Sequence, residues 1–270
     1  MLEDEKSMKN LSVHQDPWAH LRQHTAARIA LGRAGHSVPT HELLTFQADH
    51  ALARDAVYSV LNISILQEKL SSLFREAHPL AETPTDTVFV LKSQAQTRQQ
   101  YLQRPDLGRK LWPVHNLRFT ESNRQKIDVG FVIADGLSAS AVNTHAMPVL
   151  EELVPALLDL GWTIAPFCLV EQGRVAIADE IGHLLQAEMV VILIGERPGL
   201  SSPDSMGAYL TYAPSPGLTD ESRNCVSNIR PEGLDYQAAA TKILYLLTEM
   251  KRRQLSGVNL KDEMDDLLTN

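Results

Sequence analysis

The chain has 270 residues, of which 44% are hydrophobic and 21% are charged, and its formal net charge is −8. These proportions are those of a globular protein with ample material for a core, so they exclude the disordered, collagen-like and coiled-coil classes. Because the chain is acidic and no aromatic residues interleave its basic ones, it also lacks the electrostatic surface of a nucleic-acid-binding protein.

Targeting and membrane segments are not apparent in the sequence. The first ten residues are polar, and the longest apolar run, residues 189–195, is far shorter than the roughly 20 residues of a membrane-spanning helix. The two cysteines, Cys168 and Cys225, cannot form a disulfide framework. We therefore expect a chain located in a reducing cytoplasm, with no membrane partner.

The first part of the chain, residues 1–125, is predicted to be a mainly helical N-terminal region. Asp16 before a proline is typical of a helix start, and Thr40 and Asn62 are suitable caps for two further helices. A β-branched run after them predicts an isolated strand, and a proline ends the helix that follows it. The predicted elements are helices over 18–32, 41–61 and 64–79, the strand over 87–93, and a Gln-rich helix over 94–104.

From about Lys126 the pattern changes to strands that alternate with helices. The strands are near-continuous apolar runs, which are typical of strands buried on both faces of a parallel sheet. Residues 126–258 are therefore predicted to form an α/β domain with a doubly wound, mainly parallel sheet, and residues 259–270 a flexible tail. The predicted strands cover 126–136, 163–170, 189–195 and 208–214, and the predicted helices cover 138–161, 177–186 and 235–255.

Charge is unevenly distributed along the chain. Residues 92–126 carry eight Lys or Arg against two Asp or Glu, a net charge of +6, whereas residues 127–250 carry five against sixteen, a net charge of −11. The simplest interpretation is that the basic stretch packs near the acidic part or forms a solvated face. Contact of the basic stretch with a partner subunit is the alternative, and nucleic acid is the least favoured.

Ligands of open α/β sheets bind beyond the carboxyl ends of the strands, so the loops at those ends are the candidate sites. Glu196 directly follows an apolar strand and is well placed to accept hydrogen bonds from ligand amides, although such a turn can also be simply solvated. Cys225, in a polar segment without helix or strand periodicity, is more often a packed residue than a nucleophile. The four candidate loops cover 134–139, 171–175, 195–204 and 224–231.

These loops do not contain a self-contained active site. The chain lacks the glycine fingerprint of dinucleotide-binding folds, the phosphate-binding loop G-x-x-x-x-G-K-[ST], the G-x-S-x-G nucleophile motif and the H-E-x-x-H zinc motif. His20 and His24 have no carboxylate partner at metal-ligand spacing, so no metal site is predicted. The loops carry polar groups but no combination of acid, base and nucleophile that could catalyse a reaction. This indicates that they form one wall of a site shared with another chain.

Seven segments across residues 27–229 give the chain a resemblance to a known family. They are ARIALGRAG (27–35), HELLTFQADHALARDAV (41–57), SQAQTRQQYLQRPDLGRKL (93–111), ADGLSASAV (134–142), GRVAIADEIG (173–182), VVILIGERPGL (190–200) and NCVSNI (224–229). In this order they resemble the small (light) subunit of ethanolamine ammonia-lyase, the adenosylcobalamin-dependent enzyme that converts ethanolamine to acetaldehyde and ammonia. The segment GERPGL after an apolar strand, followed by NCVSNI, is the most specific part of the match.

The resemblance implies a division of labour between two chains. It implies a helical N-terminal part and a Rossmann-like C-terminal domain that covers cobalamin held against a large TIM-barrel subunit. The barrel would hold the substrate pocket and most of the chemistry, so no catalytic residue is assigned to this chain. The cofactor contacts of the family fall on Val175, Glu196 and Cys225. The chain lacks D-x-H-x-x-G, by which some cobalamin proteins replace the cofactor's own lower base, so base-on binding is expected.

Location and two rival functions complete the expectations. Some relatives carry a long N-terminal extension linked to bacterial microcompartments, whereas only some 26 residues precede the first matching segment here, which favours the open cytoplasm over encapsulation. One rival is a purely structural assembly subunit that does not touch the cofactor, suggested by the opposed charge blocks. The other is a free-standing nucleotide-binding α/β enzyme, disfavoured by the missing glycine fingerprint.

Overall fold

The computed structural model of the protein describes residues 13–77, 87–115 and 127–264. The chain divides into two compact units, Met1–Asp55 with Gly199–Pro203 and Ala56–Pro198 with Asp204–Asn270. Several sequence predictions fall outside the described residues: the polar first ten residues, the helix end at 79, the domain boundary between 125 and 126, the basic stretch beyond 115, and the tail beyond 264.

The first unit contains two short strands and the start of a long helix. Strand β1 (Val13–His14) pairs antiparallel with strand β2 (Arg33–Ala34). Helix α1 (Thr40–Tyr58) begins at Thr40, the residue predicted to cap it, and ends three residues before the predicted end at 61. Glu42 in its first turn is buried and accepts a hydrogen bond from Arg22 Nη1 at 2.5 Å, so an ion pair anchors this end of the helix.

The helix predicted over 18–32 is wrong. Only Ala19–His24 is helical, as a 3-10 helix with no buried residue. A short helix that packs no face against a core gains too little to offset the entropy of ordering its backbone. Ala30 and Gly32 further take φ angles of 50° and 73°, in the left-handed region, which no right-handed helix can include.

The second unit holds a six-stranded sheet with the order β3-β5-β4-β6-β7-β8. Strands β3, β5, β4 and β6 are mutually parallel, and β7 is antiparallel to both β6 and β8. The predicted α/β class is confirmed, with a mixed sheet. The elements are α2 (Ile63–Ala77), β3 (Val88–Lys92), α3 (Arg98–Gln103), α4 (Pro105–Gly108), β4 (Ile127–Ala134), α5 (Ala139–Asp159), β5 (Phe167–Glu171), α6 (Ile177–Leu184), β6 (Ala187–Gly195), β7 (Met206–Tyr212), β8 (Asn224–Ile229) and α7 (Tyr236–Arg253).

Two segments of this sheet differ from the sequence predictions. Strand β3 is not isolated, because it pairs residue by residue with β5 and forms an edge of the sheet. The polar segment around Cys225 was predicted to lack strand structure, yet it forms β8, the other edge. Its Val226 and Ile229 are buried while Cys225 is exposed. An edge strand needs only part of its side chains in the core, so its sequence stays polar.

The core lies on both faces of the sheet. Val129, Phe131 and Ile133 of β4 pack in one cluster with α2, α5 and α7. Val132 and Ala134, the alternate residues, pack in the other cluster with α6. Helices therefore cover both faces of the sheet. Because side chains alternate between the two faces along a strand, the central strand is apolar throughout. Within the part of the chain that the structure describes, no helix combines the length and hydrophobicity needed to cross a membrane.

Candidate functional site

Two adjoining cavities open at the carboxyl ends of the parallel strands. The first, of about 420 Å³, lies between the loops that follow β4, β5 and β6, and Tyr101 and Tyr209 also line it. The second, of about 300 Å³, lies between the start of α6 and the start of β8. Both are lined by Arg174, Val175 and Tyr209, so they adjoin, and we refer to the two together as the cleft. This is the position at which open α/β sheets bind ligands.

The structure brings all three sequence-predicted site residues to this cleft. Glu196 lines the first cavity and Cys225 the second, while Val175 lines both. The three come from the end of β6, from β8 and from the loop between β5 and α6. Residues far apart in the sequence therefore meet around one space, although their role in binding stays a prediction.

Glu196 is half-buried and held in one orientation. Its Oε2 accepts hydrogen bonds from Ser205 Oγ at 2.5 Å and from the Asn228 backbone N–H at 3.3 Å. Gly207 lies directly against the carboxylate, since a Cβ at that position would be 2.9 Å from Oε1. Oε1 accepts no hydrogen bond from the residues that the structure describes. Glu196 is thus a fixed acceptor with one open oxygen, whereas its neighbour Arg197 is exposed.

Val175 belongs to a loop whose shape is fixed by a buried carboxylate. Asp135, at the end of β4, accepts hydrogen bonds from the backbone N–H of Gln172 at 2.9 Å and of Gly173 at 3.1 Å. Burial raises the pKa of Asp135 to about 6, although these N–H donors and the charge of Arg98 act in the opposite direction. The side chain of Val175 is half-buried against the α6 side of the core.

Cys225 lies beside Tyr209 as its cross-strand partner in the antiparallel pair of β7 and β8. Although the Cys225 side chain is exposed at the sheet edge, partial desolvation by its neighbours raises the pKa of its thiol, a hydrogen bond with Tyr209 lowers it, and the charge of Glu196 raises it. The pKa of Tyr209 is raised as well, chiefly by burial. Because the thiolate is the nucleophilic form, a raised pKa disfavours a nucleophilic role for Cys225, and its role as a contact residue stays a prediction.

A stack of two arginines and a tyrosine supports the cleft, and the sequence analysis did not identify it. The guanidinium carbons of Arg98 and Arg174 lie 4.7 and 4.5 Å from the centre of the Tyr101 ring. The Tyr101 hydroxyl donates to the Gly173 carbonyl at 3.2 Å, and Arg98 Nη1 donates to the Gly136 carbonyl at 2.7 Å. Burial and the charge of Asp135 raise the pKa of Tyr101 to about 12. Arg174 lies in the candidate loop 171–175 and the other two residues lie in the matching segment 93–111, but the sequence did not predict that they meet.

Metal-ligand clusters are absent from the described residues, where no group of three or more His, Cys, Asp or Glu side chains could hold an ion. The residues that line the two cavities include no histidine. The cleft therefore offers hydrogen-bond acceptors, guanidinium donors and apolar surface. Such a set is suited to holding and orienting a ligand, and it contains no histidine, the commonest general acid or base.

Comparisons with known proteins agree on one family. A family model described as ethanolamine ammonia-lyase light chain matches residues 15–261. The small subunit of ethanolamine ammonia-lyase from Azotobacter vinelandii is 53% identical over 254 residues, 93% of this chain and 90% of that protein. The small subunit from Ralstonia nicotianae is 53% identical over 262 residues, 96% and 93% of the two chains. One from Pseudomonas putida is 52% identical over 260 residues, 95% and 92%. The match includes every residue of the cleft.

Proposed function

The chain belongs to the ethanolamine ammonia-lyase light-chain family, and from this membership we propose that its cleft binds adenosylcobalamin against the large subunit. As a small subunit it is part of a carbon–nitrogen lyase and does not act alone. Membership of this family also removes the free-standing nucleotide-binding enzyme from consideration. The large subunit, proposed to be a TIM barrel, would hold ethanolamine and the catalytic residues.

The observation that carries this proposal is the fixed carboxylate of Glu196 with its open oxygen. The rim of a corrin ring bears carboxamide side chains, whose N–H groups donate and whose carbonyls accept hydrogen bonds. Glu196 lines the first cavity, and its Oε1 fits the N–H donors of these carboxamides. Val175 and Cys225 supply smaller contacts beside them. The fixed acceptor and the contact residues of the cleft therefore suit this ligand.

Base-on binding is part of the proposal, and it rests on the missing D-x-H-x-x-G motif of this chain. When bound, adenosylcobalamin supplies a radical by breaking its cobalt–carbon bond. The residues of this chain would hold and orient the corrin, and the apolar walls around Val175 would exclude water. The parallel strands with helices on both faces support the Rossmann-like assignment of this part of the chain.

The test is cofactor binding by the assembled enzyme. We expect Glu196→Ala in the complex with the large subunit to weaken cobalamin affinity by about tenfold or more, because a charge-assisted hydrogen bond is worth roughly 1.5–3 kcal/mol. Absorbance titration with cobalamin measures this directly. Glu152→Ala on the exposed side of α5 is the matched control and should leave the affinity unchanged.

The same titration decides between cofactor binding and a purely structural role. A subunit that only stabilises the large subunit would give identical affinities for Glu196→Ala, Glu152→Ala and the unchanged protein. That result would contradict the proposal. Glu196→Gln should keep part of the affinity, because its amide oxygen still accepts a hydrogen bond but carries no charge.

A further inference from the structure

The second cavity differs from the first in the charge of its walls. Arg109, Arg174 and Arg223 line it, and Asp220 is the one carboxylate among the lining residues. Arginine in a concave site is the usual means of binding phosphate, because its planar guanidinium donates two parallel hydrogen bonds. The question is therefore which of these arginines is free to act on a ligand.

Arg223 is already neutralised. Its side chain is 2% exposed and forms an ion pair through Nη2 with Asp179, which is equally buried. Its Nη1 donates to Asp220 Oδ1 at 2.9 Å, so the acidic wall of the cavity is used by the same arginine. Arg223 and its two carboxylates thus form one ion-pair network, in which both carboxylates are already bonded to Arg223.

Arg174 and Arg109 keep their charge for another partner. Neither forms an ion pair with a carboxylate among the residues that the structure describes. Arg174 is held in place by its stack on Tyr101, 4.5 Å from the ring centre, and by a 2.9 Å hydrogen bond from Nη2 to the Tyr101 carbonyl. Its Nε is buried and has no hydrogen-bond partner. Around the second cavity, three guanidinium groups face two carboxylates, Asp179 and Asp220, so one positive charge is in excess.

We propose that the second cavity is a phosphate subsite, in which Arg174 and Arg109 bind the phosphodiester of the cofactor's nucleotide loop. The inference rests on the proposed function. The carboxamides of the corrin rim are neutral, and the phosphodiester is the anionic group of the side chain that carries the lower base. The two adjoining cavities would thus bind different groups of one ligand. The neutral amides would lie at Glu196 in the first cavity, and the anionic phosphate at Arg174 and Arg109 in the second. Base-on binding agrees with this, because the nucleotide loop then stays close to the corrin.

The experiment compares corrinoids with and without the phosphate. Cobinamide keeps the corrin and its carboxamides but lacks the nucleotide loop, and cobinamide phosphate restores only the phosphate. In the assembled two-subunit enzyme, we expect Arg109→Ala to weaken cobalamin binding by about tenfold, the loss of one charge-assisted hydrogen bond. Its cobinamide affinity should be unchanged, and cobinamide phosphate should lose affinity as cobalamin does.

Two further variants keep the result specific. Lys110→Ala removes the same charge from the adjacent exposed residue, which does not line the second cavity, and should affect none of the three affinities. Arg174→Lys keeps the charge but loses the planar fork, so it should weaken cobalamin and cobinamide phosphate more than cobinamide. Absorbance titrations measure all affinities without reference to turnover.

The outcomes distinguish this inference from the function on which it rests. If Arg109→Ala and Arg174→Lys weaken all three corrinoids equally, the arginines are structural and the phosphate subsite is wrong. If neither variant changes any affinity, the subsite is wrong although the cleft still binds a corrinoid. If the unchanged assembly binds none of the corrinoids in a manner that depends on this chain, the proposed function fails as well.

Discussion

Two carboxylates at the ends of neighbouring strands, Asp135 after β4 and Glu196 after β6, have opposite surroundings. Asp135 is 4% exposed and accepts backbone N–H groups of the next loop. Glu196 is half-buried and lines the first cavity, and its Oε1 accepts no hydrogen bond from the described residues. The comparison shows that an acidic residue at a strand end is not by itself a ligand-binding group. What decides is whether the protein's own donors already use both of its oxygens.

The largest expected effect is a loss of folding stability when Asp135 is replaced, compared with the replacement of Glu196. At pH 5 we expect Asp135→Ala to lower the free energy of unfolding by about 2–4 kcal/mol, because two backbone N–H groups in a buried loop lose their acceptor. Urea unfolding of the purified chain measures it as a lower midpoint with an unchanged slope. Glu196→Ala should cost less than about 1 kcal/mol under the same conditions, since its donors can turn to water. Equal losses for the two variants would contradict the distinction.

The pH dependence of stability should be specific to Asp135. Its pKa is about 6 in the folded chain, above the roughly 3.9 of an unfolded Asp, so the native state binds more protons between these values. Its contribution is therefore fully present below about pH 4 and decreases as the pH rises through 6, by at most about 3 kcal/mol. Asp135→Asn, which does not titrate, should flatten urea midpoints over this range. An unchanged pH profile would show that another group is responsible.

Arg98 provides a smaller test of the same site. Its charge lowers the pKa of Asp135, and its Nε and Nη1 donate to the carbonyls of Val57 at 2.6 Å and Gly136 at 2.7 Å. Arg98→Ala should therefore raise the pKa of Asp135 further and move the pH-dependent loss of stability to a higher pH. Arg98→Lys, which keeps the charge, should move it less. The same urea titrations measure this change. If the pH-dependent loss of stability moved to lower pH in Arg98→Ala, the electrostatic assignment would be contradicted.

The sequence predicted the central strands and Glu196 for a physical reason. Strands β4, β5 and β6 are buried on both faces, so they are continuous apolar runs that end abruptly at polar loops. Ser138, in the loop after β4, caps α5, since its side chain accepts a hydrogen bond from the Ala141 N–H. Local patterns of this kind identify where a buried strand stops and therefore which residue stands at its end.

Other features depend on contacts between distant residues, and no local pattern shows them. Arg174 and Tyr101, which stack beside the cleft, are 73 residues apart, and Arg98 reaches Gly136 across 38. Strand β8 is recognisable only from its pairing with β7, because its exposed side chains are polar. The failed helix over 18–32 had suitable start and stop residues but no face to pack. Caps mark the ends of helices, and packing decides whether a helix forms.

The smallest effect concerns how tightly Glu196 is fixed. Gly207→Ala would place a Cβ 2.9 Å from Glu196 Oε1 and 3.3 Å from its Cγ, so the carboxylate must move away from Ser205. Because this shifts a binding group and leaves the core intact, we expect roughly threefold weaker cobalamin affinity in the assembled enzyme, about 0.7 kcal/mol. Stability should change little.

The double variant shows whether that loss acts through Glu196. Gly207→Ala introduced into Glu196→Ala should weaken cobalamin binding no further, since the carboxylate that the new methyl group displaces is already absent. Additive losses would mean that residue 207 affects the cleft by another route. A non-additive result would establish that the open oxygen of Glu196 must lie in one position to bind its ligand, whereas Asp135, with both oxygens bonded inside the protein, has no such role.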